Sequence, residues 1–115
     1  MKKHVLSILF SCFSLLLCAQ ITVDDATINA GDSFTMTSDN EYILDGYVYV
    51  EEGATLTIEP GTVIRGKSNP TGDDLTSALI ITKGATIIAD GTAAQPIIFT
   101  GDIDDLTITD DDEFG

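Results

Sequence analysis

Beyond residue 19 the chain has no cysteine and no histidine, and it has no tryptophan anywhere. His4, Cys12 and Cys18 all fall in the opening stretch. The rest therefore has no thiol for a disulfide and no thiolate or imidazole for a metal. It also has no Ser-His or Cys-His pair for nucleophilic catalysis. Basic residues are almost as scarce. Once Lys2 and Lys3 are set aside, Arg65, Lys67 and Lys83 stand against 19 acidic residues, so 3 − 19 gives −16. Such a surface repels nucleic acid and anionic membrane, and neither is expected as a partner. No window after Gln20 holds a 3.6-residue apolar period, which argues against any amphipathic helix. The one Asn-x-Thr triplet, Asn69-Pro70-Thr71, carries proline where it blocks N-glycosylation.

Residues 1–19 have the form of a secretory signal peptide. Lys2 and Lys3 precede an apolar run from Val5 to Leu17, and Ala19 can stand before the cut, leaving Gln20 first. The run is short for a membrane span, so none is expected after cleavage. Cys18 after an apolar run also suits a bacterial lipoprotein, but Leu17 stands where that signal wants Gly, Ala or Ser. The expected location is therefore secreted or on the outer surface of a bacterium.

Three stretches share one pattern: Ile28 to Met36, Val50 to Ile58 and Ile81 to Ala89. Each runs apolar residue, two spacers, glycine, a small or acidic residue, Ser or Thr, then an apolar residue. Their glycines, Gly31, Gly53 and Gly84, lie 22 and then 31 residues apart. Such a period marks units that bury their apolar faces only by stacking on one another. Short runs rich in β-branched residues, broken by Gly, Pro and Asp, make the units β-type. They are Tyr47–Val50, Thr55–Ile58, Thr62–Ile64, Ala78–Ile81, Thr86–Ile88 and Pro96–Thr100.

Three strands and two turns per unit suit one coil of a parallel β-helix. Val50 is then expected over Ile81, Leu56 over Ile87, Ile58 over Ala89 and Ile64 over Ile98, all inward. An antiparallel sandwich would need consecutive hairpins, and Asp45-Gly46 and Asp90-Gly91 are the only Asp-Gly pairs. The polar stretch Gly66 to Ser77 accounts for the longer second spacing as a corner insertion. The fold expected is all-β, a partial right-handed parallel β-helix of about two regular coils. Its divisions are a signal at 1–19, an irregular cap at 20–46, coils at 47–101 and an acidic loop at 102–115.

Ser38 to Val50 and Gly53-Ala54-Thr55-Leu56-Thr57-Ile58-Glu59-Pro60-Gly61-Thr62-Val63-Ile64-Arg65-Gly66 resemble the N-terminal part of a group of secreted or surface proteins of Bacteroidetes-type bacteria. Ala78–Ile81, Gly84-Ala85 and Pro96–Thr100 continue the likeness. Those proteins look like right-handed β-helices of the pectin-lyase-like shape, and they run to many more coils. The resemblance implies fold and location more than reaction. It also implies that this chain is the N-terminal part of a longer one, with a further coil expected against Ala78–Ile81 and Pro96–Phe99.

Four chemistries compete. A Ca-dependent polysaccharide lyase, or another carbohydrate-active β-helix enzyme, needs acidic ligands and a basic proton acceptor. Only Arg65, Lys67 and Lys83 could supply the acceptor. A Ca²⁺ site is suggested by the seven acidic residues between Asp102 and Glu113. Asp102, Asp104, Asp110 and Glu113 fall on EF-hand positions one, three, nine and twelve, but Leu106 and Thr107 replace an acidic ligand and the turn glycine. Glycan binding wants exposed aromatic residues. Tyr42, Tyr47 and Tyr49 are the candidates, with capping or core packing as their plainer role. A non-catalytic extracellular or cell-surface scaffold, of adhesion type and needing no cofactor, asks least of these residues. It is the function expected, with extracellular glycans or cell-surface components as partners.

Overall fold

Alternating β-branched and polar residues make strands with one apolar face, and such strands recur along the whole described chain. The computed structural model describes residues 19–106. In order the strands are β1 (Ala19–Val23), β2 (Ser33–Met36), β3 (Asn40–Leu44), β4 (Tyr47–Val50), β5 (Thr55–Ile58), β6 (Val63–Gly66), β7 (Ala78–Ile81), β8 (Thr86–Ala89) and β9 (Ile98–Gly101). They form a four-stranded sheet β1-β3-β6-β9, a three-stranded sheet β2-β5-β8 and a two-stranded sheet β4-β7. All six strand pairings are parallel. Each strand thus pairs with its counterpart one coil later, which is a parallel β-helix. Among the described residues there is no helix.

Coil length can be read from the register. Ser33 pairs with Thr55 and Glu41 with Val63, a step of 22 residues. Tyr47 pairs with Ala78 and Thr55 with Thr86, a step of 31. Val63 pairs with Ile98, a step of 35. Nine residues are therefore inserted between β6 and β7, where the polar corner loop was expected. Four more are inserted between β8 and β9. The segment expected to be an irregular cap supplies β1, β2 and β3, each in register with a later strand. Where the later coils have β4 and β7, its 24–28 stretch, beneath β4, forms a turn instead of a strand.

The interior follows the alternation. Phe34, Leu56 and Ile87 share one inward column, and Met36, Ile58 and Ala89 the next. Val48 and Val50 face inward over Leu79 and Ile81. The expected stacks of Val50 on Ile81, Leu56 on Ile87 and Ile58 on Ala89 are present. The fourth is not: Ile64 stacks on Phe99, and Ile98 pairs with Val63 on the outer face. The longer turn before β9 is the cause. Matching Ile64 to Ile98 takes a step of 34 where the register is 35, and a one-residue slip exchanges the two faces. The backbone shows the true equivalence, because the Gly61 N–H donates to the Gln95 carbonyl at 3.0 Å.

Corner geometry supports the stack. Gly31, Gly53 and Gly84 have φ of 80°, 81° and 86°, a region that side chains disfavour. They form a column: the Gly31 N–H donates to the Glu52 carbonyl at 3.2 Å and the Gly53 N–H to the Gly84 carbonyl at 2.9 Å. Two buried hydroxyls are satisfied within the coils. Thr62 Oγ1 donates to the Glu59 carbonyl at 2.7 Å, and the Tyr42 hydroxyl accepts the Thr37 N–H at 2.9 Å.

Burial fades toward the last coil. Ile58 is 2% exposed and Ile64 1%, whereas Ile87 is 38% and Phe99 53% exposed. Ionising a side chain inside the packed coils leaves a buried charge without a partner, which exceeds what a marginally stable fold tolerates. Ile58→Asp should therefore abolish cooperative unfolding in a urea titration. Ile87→Asp, at a position 38% exposed in this chain, should still melt cooperatively at a lower midpoint. Equal loss from the two substitutions would contradict this placement of the core.

Candidate functional site

The basic side chains were the scarcest candidates, and two of the three hold the coils together. Arg65 lies on the outer face of the four-stranded sheet, paired with Ile43 and Thr100. Its Nε is 3.0 Å from Glu41 Oε1, with only 11% of the Arg65 side chain exposed. Its Nη1 donates to the carbonyls of Gly101, at 3.1 Å, and Asp104. One guanidinium so ties β3, β6 and the turn after β9. Gln20 Nε2 donates to the same Glu41 oxygen at 2.9 Å, linking β1. The Gln20 hydrogen bond first, and Arg65 after it, hold the Glu41 carboxyl below its usual range. A guanidinium does not deprotonate in proteins, and this one is aimed at structural acceptors.

Lys67 opens the inserted corner loop. Its Nζ lies 3.8 Å from Asp45 Oδ2 and donates to Thr71 Oγ1 at 2.9 Å. The loop bonds back to the preceding corner throughout. Thr71 N–H donates to Asp45 Oδ1 at 2.7 Å, Tyr47 N–H to Asp74 Oδ2 at 2.8 Å and Gly46 N–H to Ser77 Oγ at 3.0 Å. Ser77 Oγ donates in turn to the Lys67 carbonyl at 2.7 Å. The Thr71 amide is the main reason that the Asp45 carboxyl is lowered. Lys83 sits exposed beside the corner glycine Gly84.

Of the four acidic candidates, Asp102 and Asp104 lie among the described residues. Asp110 and Glu113 lie outside those residues. Asp102 accepts from Ser68 twice, from its N–H at 3.1 Å and its hydroxyl at 2.9 Å. Asp104 accepts from the Thr100 hydroxyl and from the Leu106 N–H, the latter at 2.9 Å. These bonds lower both carboxyls, Ser68's amide chiefly at Asp102 and Thr100's hydroxyl chiefly at Asp104. No three His, Cys, Asp or Glu side chains converge as a metal cage among the described residues. Asp102 and Asp104 thus each accept hydrogen bonds from the chain's own donors.

Two surfaces remain. At the open end a cavity of about 500 Å³ is lined by Leu44, Ile64, Leu79, Ile81, Ile87 and Phe99, the inward residues of the last coil and those beneath them. On the two-stranded sheet, Tyr47 and Tyr49 point outward because Val48 and Val50 point in. Tyr42 is buried instead, so core packing describes one tyrosine of the three. The outward tyrosines follow from alternation. The Arg65–Glu41 and Ser68–Asp102 contacts join residues far apart in the chain, and no local motif marks them.

A proton linkage follows from these bonds. Asp102 has a lower pKa folded than unfolded, so its contribution is present above the ordinary aspartate range and disappears as pH falls through the lowered value. Asn at this position cannot ionise. The stability difference between the native chain and Asp102→Asn, measured by urea unfolding from about pH 7 to about pH 3, should be widest at neutral pH and close on acidification. A difference constant with pH would show that Ser68 does not favour the charged carboxylate.

Comparison with known proteins adds one match. The family described as a pectate-lyase like beta helix domain matches residues 26–111. No curated protein and no solved structure matches the chain. The family match spans well over half of the 115 residues, and it covers strands β2 to β9, the same coils that the register defines. The chain belongs to the pectate-lyase-like β-helix family.

Proposed function

We propose that the chain is a non-catalytic β-helix scaffold of the bacterial exterior, whose outer faces bind extracellular glycans or cell-surface components. The observation that carries this reading is the position of Arg65. A lyase must take a proton from the carbon beside a uronate carboxyl, and its base must reach the substrate. Arg65 instead spans Glu41 and the carbonyls of Gly101 and Asp104. Lys67 is held in the corner loop by Asp45 and Thr71. The signal-like residues 1–19 support export, with Gln20 as the first mature residue. The charge of −16 supports a partner other than nucleic acid.

A second reading, part of a Ca-dependent polysaccharide lyase or another carbohydrate-active enzyme, is favoured by the family match alone. A fold that hosts many functions does not supply a site. The two readings separate on one assay. Incubation of the chain with polygalacturonate and millimolar Ca²⁺ should give no rise in the ultraviolet absorbance of unsaturated uronate and no new reducing ends. Turnover that is lost on Arg65→Ala and unaffected by Tyr49→Ala would sink the scaffold reading and establish the lyase.

A further inference from the structure

We propose that the outer face of β4 and β7 is a binding site for an uncharged glycan, with Tyr47 and Tyr49 as its stacking platform. This rests on reading the chain as an extracellular binding scaffold and adds the site and the ligand class. The pairing sets Tyr47 beside Ala78 and Tyr49 beside Ile80. All four are outward positions, and none is charged, in a chain with 19 acidic residues. Apart from Glu41 in β3, the described carboxylates lie at corners and in loops. Val48 and Val50 cover the core below, so packing does not require aromatic rings above them. Tyr49 is 37% exposed all the same.

The two rings stand on one rigid strand. Residues i and i+2 project from the same face about 6.6 Å apart, a separation at which two rings act as one floor for successive sugar units. The backbone is pinned at both tyrosines. Tyr47 N–H donates to Asp74 Oδ2 at 2.8 Å and Tyr49 N–H to Asp25 Oδ1 at 3.2 Å. A carboxylate accepts about four hydrogen bonds, so Asp25 and Asp74 retain capacity for sugar hydroxyls at the margins of the floor. Pyranose rings present C–H faces that rest on aromatic rings and hydroxyl edges that donate to carboxylates. Tyrosine suits such a surface because its ring loses little entropy on binding.

Charge selects within the glycans. The flanking groups are Asp25 and Asp74, and the net charge is −16 over residues 20–115. Arg65 and Lys67 are paired with Glu41 and Asp45, and Lys83 stands at another corner. A polyuronate would therefore meet uncompensated carboxylates, whereas an uncharged chain would not. This site thus takes a different substrate class from the one in the family's description.

The chain has no tryptophan and three tyrosines, one of them buried, so its intrinsic fluorescence reports this face. Titration with neutral hexasaccharides (cello-, xylo-, manno- and N-acetylated chito-oligomers) at about 0.15 M salt should change that fluorescence saturably for at least one. Calorimetry should confirm the same affinity. Polygalacturonate should give no such change. Tyr49→Ala and Tyr47→Ala should each weaken binding about tenfold, equivalent to ~1.4 kcal/mol, with Tyr49→Phe close to native affinity and all variants melting cooperatively. Failure of every neutral glycan to bind overturns the proposal. So does affinity for polygalacturonate alone, or binding that both alanine variants leave intact. These outcomes leave the scaffold reading standing, since that reading fails only on turnover.

Discussion

Every coil depends on the next one for its backbone hydrogen bonds. A lone turn of this chain would leave a row of N–H and C=O groups without partners along each strand, and only a parallel neighbour one coil away supplies them. Stacking also closes the core, because each inward column is a single file of side chains. Leu56 is buried because Phe34 lies below it and Ile87 above. Ile87 and Phe99, with no described strand beyond them, are open to water. The gradient of burial along the axis follows directly from the order of stacking.

Where a coil lacks a strand, side chains take over the backbone's role. Beneath β4 the 24–28 segment offers Asp25 instead of a strand carbonyl, and Asp25 accepts the Tyr49 amide. The inserted loop provides Asp74 and Ser77 for the amides of Tyr47 and Gly46. Asp102 does the same for Ser68. Asp25, Asp74 and Asp102 are thus corner acceptors. Negative charge at corners agrees with an uncharged sheet face, since the strands' outward positions hold mostly Thr, Ser, Tyr and aliphatic residues.

Much of this architecture was legible because the glycine-centred pattern repeats. Gly31, Gly53 and Gly84 stack as their spacing implied, and the pairs Val50–Ile81 and Leu56–Ile87 followed from it. The first coil was hidden because β1 and β3 lie outside that pattern, and the 24–28 segment replaces a strand with a turn. The slip between Ile98 and Phe99 arose where a four-residue insertion in the turn before β9 is followed by an apolar run, Ile97-Ile98-Phe99, whose members all suit the interior. The long-range side-chain contacts were the least legible. Arg65 meets Glu41 only because a coil step of 22 residues sets β3 beside β6. Asp102 likewise meets Ser68 only because β9 lies beside β6.

The central claim is register: β5 and β8 are parallel neighbours one coil apart, with Thr57 and Ile88 side by side on the outer face. Paired cysteines test it, because disulfides form only when Cβ atoms lie within about 4.5 Å and point together. In a chain with Cys12 and Cys18 replaced by serine, Thr57→Cys with Ile88→Cys should cross-link under mild oxidation while the protein stays folded. Thr57→Cys with Ile87→Cys, on opposite faces, should not. Cross-linking of the second pair in preference to the first would contradict the stacked coil and everything built on it.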